Sequence, residues 1–254
     1  MMAPDGRAMG ILQRSSSLIQ FLAERGPLSM AEMAEEIGMP RPSVYRLADA
    51  LTQTRLVESA PDGKLRLSLR WLTLSDAARS GMREWSQARP ILDGLADRTG
   101  QTVYLSVPRG DRAICIDWSP GRALNVLALK PGRTLPLYAG AAGRVTLAYR
   151  PDPLEDYLLL APFPPLTEHT LVTAPELRAD VAEITTRGYS VSDEDVTLGI
   201  GALGAPLMGR NGMFLGALSL AGLAEDLRVR RSELSADLLA CAEELSASAT
   251  IAAG

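Results

Sequence analysis

The stretch Met39–Glu58, "MPRPSVYRLADALTQTRLVE", decides how the N-terminal part of the chain reads. Pro42 stands where the first turn of a helix accepts a residue without an amide hydrogen. Val44, Leu47, Ala48 and Leu51 follow at helical spacing and predict one buried stripe. Ser43, Tyr45, Arg46 and Asp49 therefore point elsewhere. With Arg41 they place arginines and hydroxyls at the exposed start of a short helix, where phosphates and base edges can be met.

The flanking residues support that reading. In "SMAEMAEEIG", Ser29 and Glu32 have capping-box spacing, Met30, Met33, Ala34 and Ile37 give an inner face, and Gly38 is a stop. Earlier still, Ile11, Leu12, Leu18, Ile19 and Leu22 recur at helical spacing, weakened by Ser15–Ser17, and Gly26-Pro27 ends the run. After the opening stretch, Pro61-Asp62-Gly63 is a turn signal, and Leu65, Leu67 and Leu69 alternate with Arg66, Ser68 and Arg70. Three short helices and a two-stranded wing describe a winged helix-turn-helix, whose third helix enters the DNA major groove. Arg41 and Arg46 are placed to neutralise phosphates or fork onto guanine, and Ser43 and Tyr45 to donate to either. Lys64 at the wing tip and Arg66 on its strand reach a flanking backbone. Ser29 and Pro42, at the helix starts, complete the predicted DNA-binding set. The competing reading is a small helical domain with ordinary solvated arginines. The order of cap, turn, helix and wing favours DNA.

Composition sets the frame. The chain has 254 residues, 46% hydrophobic and 22% charged, enough for one large or two modest domains with a true core. Residues 1–80 carry ten Lys and Arg against nine Asp and Glu, and the remainder sixteen against twenty-one. A weakly basic small end joined to an acidic large end suggests two jobs. Two distant cysteines, Cys115 and Cys241, suit a reducing compartment without a disulfide framework. No apolar run is long enough to span a membrane, and "MMAPDGRAMG" lacks a signal pattern. A cytoplasmic protein is predicted.

Beyond the wing, "WLTLSDAARSGMREWSQARP" has no loop punctuation until Gly81. It predicts a helical linker over 72–89, between a DNA-binding domain at 1–71 and a second domain at 90–254. There, "PILDGLADRTG" reads as a helix, and "TVYLSV", "AICIDW" and "LNVLAL" as strands. "GAAGRVTLAYR" is a small-residue loop entering a helix. Thr173 and Glu176 form a second capping box, opening a helix that stops at Gly188. "GALGAPL" and "MFLGALSLAG" are strands joined by the turn Arg210-Asn211-Gly212, and Leu234, Leu238, Leu239 and Leu245 mark a last helix. "APFPP" reads as a surface loop. Hairpin-linked strands with helices around them predict an α+β domain, an antiparallel sheet covered by helices.

No catalytic or metal-ligating constellation is predicted, and no cofactor. His169 is the one histidine and cannot build a multi-histidine zinc site. No GxSxG elbow accompanies it, and it reads as a surface residue. Asp193-Glu194-Asp195 reads as a solvated acidic loop, and Cys115 as a half-buried structural thiol. "GAAGR" lacks the spacing and Lys-Ser/Thr of a P-loop, so its small residues more simply let backbone approach a ligand. Ser219 reads equally as a buried serine bonded to backbone or as a ligand contact.

Taken together, "LSMAEMAEEIGMPRPSVYRLADAL", "LPLYAGAAGRVTLA", "TRGYSVSDEDVTLGIGALGAPL" and "FLGALSLAG" resemble, in order and spacing, the IclR family of bacterial transcriptional regulators. The resemblance implies a winged-helix DNA reader, a linker helix and a GAF-like effector domain that binds a small metabolite. It also implies assembly as a dimer or tetramer on double-stranded operator DNA, with repression the commoner habit. Carried over by position, the effector pocket falls on Ala141, Ala142 and Gly143, on Ser192 and Asp193, and on Ala202, Ser219 and Ala221. Members that bind small carboxylates carry more polar groups at several of these points. The alanines here imply a ligand with an apolar body, such as an aromatic acid, held at one polar end by Ser219 and the 141–143 backbone. Arg55 stands where the family's turn has glycine, which implies an altered wing angle or one more phosphate contact. Two other classes compete: a small-molecule-processing enzyme with a helical dimerisation module, and a sensor acting through protein contacts alone.

Overall fold

The computed structural model describes residues 6–122 and 129–252, which divide between the units Met1–Gly81 and Met82–Gly254. In the first, α1 (Gly6–Arg25), α2 (Met30–Ile37) and α3 (Arg41–Gln53) precede an antiparallel hairpin of β1 (Val57–Ser59) and β2 (Leu65–Leu67). The Ser29 hydroxyl accepts from the Glu32 amide at 3.3 Å, and the Glu32 carboxylate accepts from the Ser29 amide at 2.7 Å. Two otherwise orphaned donors are thereby satisfied. Gly38 ends α2 in the left-handed region that its missing Cβ permits. The stripe Val44, Leu47, Ala48 and Leu51 packs with Leu18, Leu22, Met33, Val57 and Leu65 into one core.

Two expectations fail here. Ile11 and Leu12, read as inner-face residues, are 54% and 66% exposed, because only the later part of α1 reaches this small core. Leu69, read as a strand residue, is exposed at the start of α4 (Arg70–Ser80). The strand stops at Leu67, and the Ser68 hydroxyl donates to the Arg55 carbonyl as the chain turns.

The segment 72–89 is not one helix. α4 ends at Ser80, a 3-10 turn covers Arg83–Trp85, and α5 (Ala88–Thr99) starts afresh. Pro90 explains the restart, since a proline fits the first turn of a new helix and would break a continuing one. Then come β3 (Thr102–Arg109), β4 (Arg112–Ser119), β5 (Thr134–Pro136), α6 (Ala141–Tyr149), α7 (Leu154–Leu158) and α8 (Ala174–Arg187). β6 (Ser190–Asp193), β7 (Ile200–Met208), β8 (Phe214–Leu223), α9 (Ala224–Val229) and α10 (Arg231–Ala252) complete the order. The six strands form one antiparallel sheet, β5-β4-β3-β8-β7-β6. The strand read at "LNVLAL" falls mostly on residues outside those described. β5 and β6 were not foreseen, being too short to show alternation.

Alternation gives this sheet two unlike faces. Val103, Leu105, Leu203, Leu207, Leu218 and Leu220 face one way and pack with Leu92 and Leu95 of α5 and Leu234, Leu238 and Leu245 of α10. At roughly 1.5–3 kcal/mol for each fully buried side chain, this layer carries much of the unit's stability. The residues between them are mostly small (Ala202, Gly204, Ser219, Ala221), with Tyr104 and Pro206 larger. A face without bulk leaves room beneath whatever covers it, and α6 stands over it.

Candidate nucleic-acid interface and ligand cavity

α3 presents Arg41, Pro42, Tyr45 and Arg46 to solvent, with Ser43 half-buried. Tyr45 is 51% exposed, a large ring with no core to fill. The Arg46 guanidinium donates to the Ser43 hydroxyl at a long 3.4 Å. Ser29 is less available, because its hydroxyl serves the α2 cap. Arg66 faces Glu58 across the hairpin, in register and at 2.8 Å, so part of its charge is already answered. Lys64 lies half-buried beside the wing turn. Arg55 occupies the left-handed region at φ 58°, the conformation that a glycine would adopt without strain. Sequence reasoning missed Arg70, which donates to the Thr54 carbonyl at 2.7 Å and so caps the C-terminal end of α3. No local signal marks it, since the partner is sixteen residues away.

The second unit holds a cavity of about 480 Å³ between the small-residue face of the sheet and α6. Ala141, Ala142, Ser192, Ala202, Ser219 and Ala221 all line it. Gly143 and Asp193 do not. Gly143 lies against the end of β5, where a Cβ would sit 2.3 Å from the Pro136 carbonyl oxygen, so its smallness serves packing. Asp193 alternates with Ser192 along β6 and therefore points out of the cavity, where Arg228 binds it at 2.8 and 3.1 Å. Residues 141–143 are also not a loop: they are the first turn of α6, with Gly140 before them at φ 73°.

The acidic segment is not uniformly solvated. Asp193 and Glu194 both pair with Arg228, but Asp195 is buried. The Asp195 carboxylate accepts from the Gly140 amide at 3.0 Å and from the Ser192 hydroxyl, two groups of the cavity wall. Arg144 compensates it at 3.3 Å and also meets Asp180 at 2.7 Å. Burial holds the Asp180 carboxyl above its usual range, against the pull of Arg144. This buried charge cluster braces the wall, and the Ser192 hydroxyl is engaged in that brace.

Tyr104 and Arg133 line the cavity too, and neither was foreseen. Tyr104 is buried, stacks on Trp118 at 6.3 Å between centroids, and has a hydroxyl without a partner among the described residues. The alternation of "TVYLSV" could have placed Tyr104 on the sheet face of Ser219, had the strand pairing been known. Ser219 is 3% exposed, and its hydroxyl makes no hydrogen bond among the described residues. Cys115 is fully buried beside Tyr104 and Ala221, not half-buried. His169 is exposed, beside Glu168. Among the described residues no group of three or more His, Cys, Asp or Glu is placed to hold a metal, and no helix is long and apolar enough to cross a membrane.

A helix-turn-helix with a wing and, on the same chain, an α+β domain enclosing a cavity are the parts of a transcriptional regulator with a ligand-binding domain. Residues 79–247 match the bacterial transcriptional regulator IclR C-terminal model and residues 11–61 the IclR helix-turn-helix domain model. The chain belongs to the IclR family of bacterial transcriptional regulators. It is 33% identical to the HTH-type transcriptional regulator Rv1719 of Mycobacterium tuberculosis, over 96% of this chain and 94% of that one. It is 26% identical to the transcriptional repressor IclR of Escherichia coli, over 96% and 91%. Among solved structures, an IclR homologue from Microbacterium hydrocarbonoxydans complexed with 4-hydroxybenzoate superposes with a TM-score of 0.73. It is 20% identical and the match covers 91% of this chain and 99% of that one, a likeness of fold.

Proposed function

We propose that this chain is a repressor that acts in the cytoplasm and binds operator DNA through α3 and the wing. Its affinity for DNA changes when the cavity takes up an organic acid with an apolar, preferably aromatic, body. The cavity carries this reading. Its floor is methyl groups of Ala202 and Ala221, and Leu129, Leu135, Val196 and Ile200 supply apolar walls. A small keto acid there would lose hydration around its whole surface with few partners to replace it. A longer acid keeps one end polar and gives the rest to the walls. The first turn of α6, with Ala141 and Ala142 in the lining, leaves amide hydrogens without intrahelical partners and carries the positive end of the helix dipole. A carboxylate suits that end, and Arg133 in the lining adds to the positive field. The regulator reading is preferred to the enzyme reading because the described lining has no carboxylate, histidine or cysteine with which to run acid–base or nucleophilic chemistry. Repression is proposed by likeness to the Escherichia coli repressor.

A thermal-shift screen of aromatic, aliphatic and short keto acids, followed by a gel shift on the DNA upstream of the protein's own coding sequence, tests the reading. Aromatic or longer-chain acids should raise the melting temperature and alter the shift. Ala142→Trp should fill the cavity and abolish the response while leaving ligand-free operator binding nearly intact. Tight binding of glyoxylate or pyruvate, with none of the larger acids bound, would overturn the ligand class.

A further inference from the structure

The residue that follows the cap of α3 is an arginine in a conformation suited to glycine. The Arg55 amide donates to the Thr52 carbonyl and the Leu56 amide to the Leu51 carbonyl, each at 2.9 Å. This pair of bonds is a helix ending in which the residue after the cap is left-handed and is usually glycine. Arg55 takes that conformation at φ 58°, and Glu194 is the only other non-glycine residue with positive φ among the described residues. A residue with a Cβ is strained there. Three side chains hold the turn. Arg70 donates to the Thr54 carbonyl and the Trp71 indole to the Leu56 carbonyl, both at 2.7 Å, and the Ser68 hydroxyl donates to the carbonyl of Arg55 itself. Strain persists where the surroundings over-determine it, and it collects at functional positions.

The fold makes no use of the Arg55 side chain. It is exposed, and its guanidinium has no hydrogen bond or ion pair among the described residues. The negative end of the α3 dipole already has a cation in Arg70. Elsewhere in the unit Arg25 is paired with Glu36 and Arg66 with Glu58. α3 has 13 residues, so it is roughly 20 Å long. Laid across a major groove about 12 Å wide, a helix of that length reaches the phosphates on both sides. Arg41 stands at its first position and Arg55 just past its end.

Resting on the DNA-binding reading above, we propose that Arg55 is a phosphate-contacting residue of the DNA interface, held in place by its left-handed backbone and by the clamp of Ser68, Arg70 and Trp71. The contact is with the DNA backbone, so it adds affinity on every sequence and carries no base preference. Fold stability and DNA binding therefore pull in opposite directions at this one position.

Fluorescence anisotropy on the full chain tests the inference. The probes are a duplex of the DNA upstream of the protein's own coding sequence and an unrelated duplex of equal length, each titrated between about 50 and 200 mM salt. Arg55→Gly and Arg55→Asn both accept the left-handed backbone and remove the charge. Both should bind the two duplexes several-fold more weakly, by the same factor on each. The slope of log affinity against log salt should flatten by about 0.9 for each chain bound. Neither variant should lower the urea midpoint, because both are less strained than arginine at this position. Arg55→Lys should keep the slope and most of the affinity. Unchanged affinity and slope in both neutral variants overturn the inference and leave the DNA-binding reading standing. So does a loss with an unchanged slope, or a loss confined to Arg55→Gly, since either marks a joint between helix and wing that has lost its angle. If the unmodified chain binds neither duplex, the DNA-binding reading fails and the inference with it.

Discussion

Arg46 and Arg66 are both exposed arginines in the DNA-binding unit, yet their surroundings separate them. Arg66 is matched by Glu58 at 2.8 Å, while the guanidinium of Arg46 has only the long contact to Ser43 among the hydrogen bonds and ion pairs of the described residues. Arg46 also stands one turn into α3, where a groove-binding helix meets base edges. Arg46→Ala should therefore cost about 1–3 kcal/mol of operator affinity and relax sequence preference at one position. Titrating the operator and a set of single-base variants by fluorescence anisotropy reads both effects. A uniform loss on every sequence assigns Arg46 to phosphate, and no loss removes it from the interface. Arg66→Ala, breaking an exposed pair, should change the stability of the fold by less than about 1 kcal/mol.

Elements whose signals are local were legible from residue patterns, and those made by distant contacts were not. α2 and α8 begin on capping boxes spelled out within four residues, and α3 shows its stripe within eight. The β7–β8 hairpin is marked by Gly212, which takes φ 75° in its turn. The order of the sheet is not local, so the neighbourhood of Tyr104, Ser219 and Gly204 could not be read from the strands one by one. The family resemblance supplied six of the lining residues without that geometry, and it missed Tyr104, Arg133 and the buried role of Asp195. Glycines show the same limit. Gly143 looks like one more small residue in "GAAGR", yet α6 can meet the end of β5 only because it lacks a side chain. Gly143→Ala should destabilise the second unit by about 1–3 kcal/mol, since the obstructing Pro136 carbonyl is backbone and cannot rotate away. Gly10→Ala is the matched control: it lies in α1 with nothing within 4 Å of its Cβ position, and should be neutral or stabilising by up to about 1 kcal/mol. Urea midpoints of the two variants should move apart, and equal midpoints would mean that α6 shifts freely on the sheet.

For the whole molecule, the uncovered apolar surface matters most. α4 has no buried residue, and Leu69, Leu72 and Leu74 at its start and along it are 72%, 65% and 40% exposed. Ile11 and Leu12 leave α1 apolar in the same unit. Exposed leucines scattered singly need no account, but a helix tied to its unit at its first two residues, through Arg70 and the Trp71 indole, with no buried side chain along it, is a poor element by itself. A second copy of the chain would supply that cover, and DNA recognition asks for the same thing. A single module buries only about 600–1,000 Å² of protein on DNA, so one winged helix reads too little sequence to be selective. Two copies paired through α1 and α4 would instead read half-sites about 34 Å or a multiple apart. We expect at least a dimer at micromolar concentration by light scattering. Leu12→Glu with Leu72→Glu should shift it toward monomer, because a buried unpaired carboxylate opposes the interface. Operator affinity should fall with assembly, while each unit keeps its own unfolding transition. A single chain mass for the unmodified protein, with and without operator DNA, would exclude the pairing and leave α4 to be covered from another source.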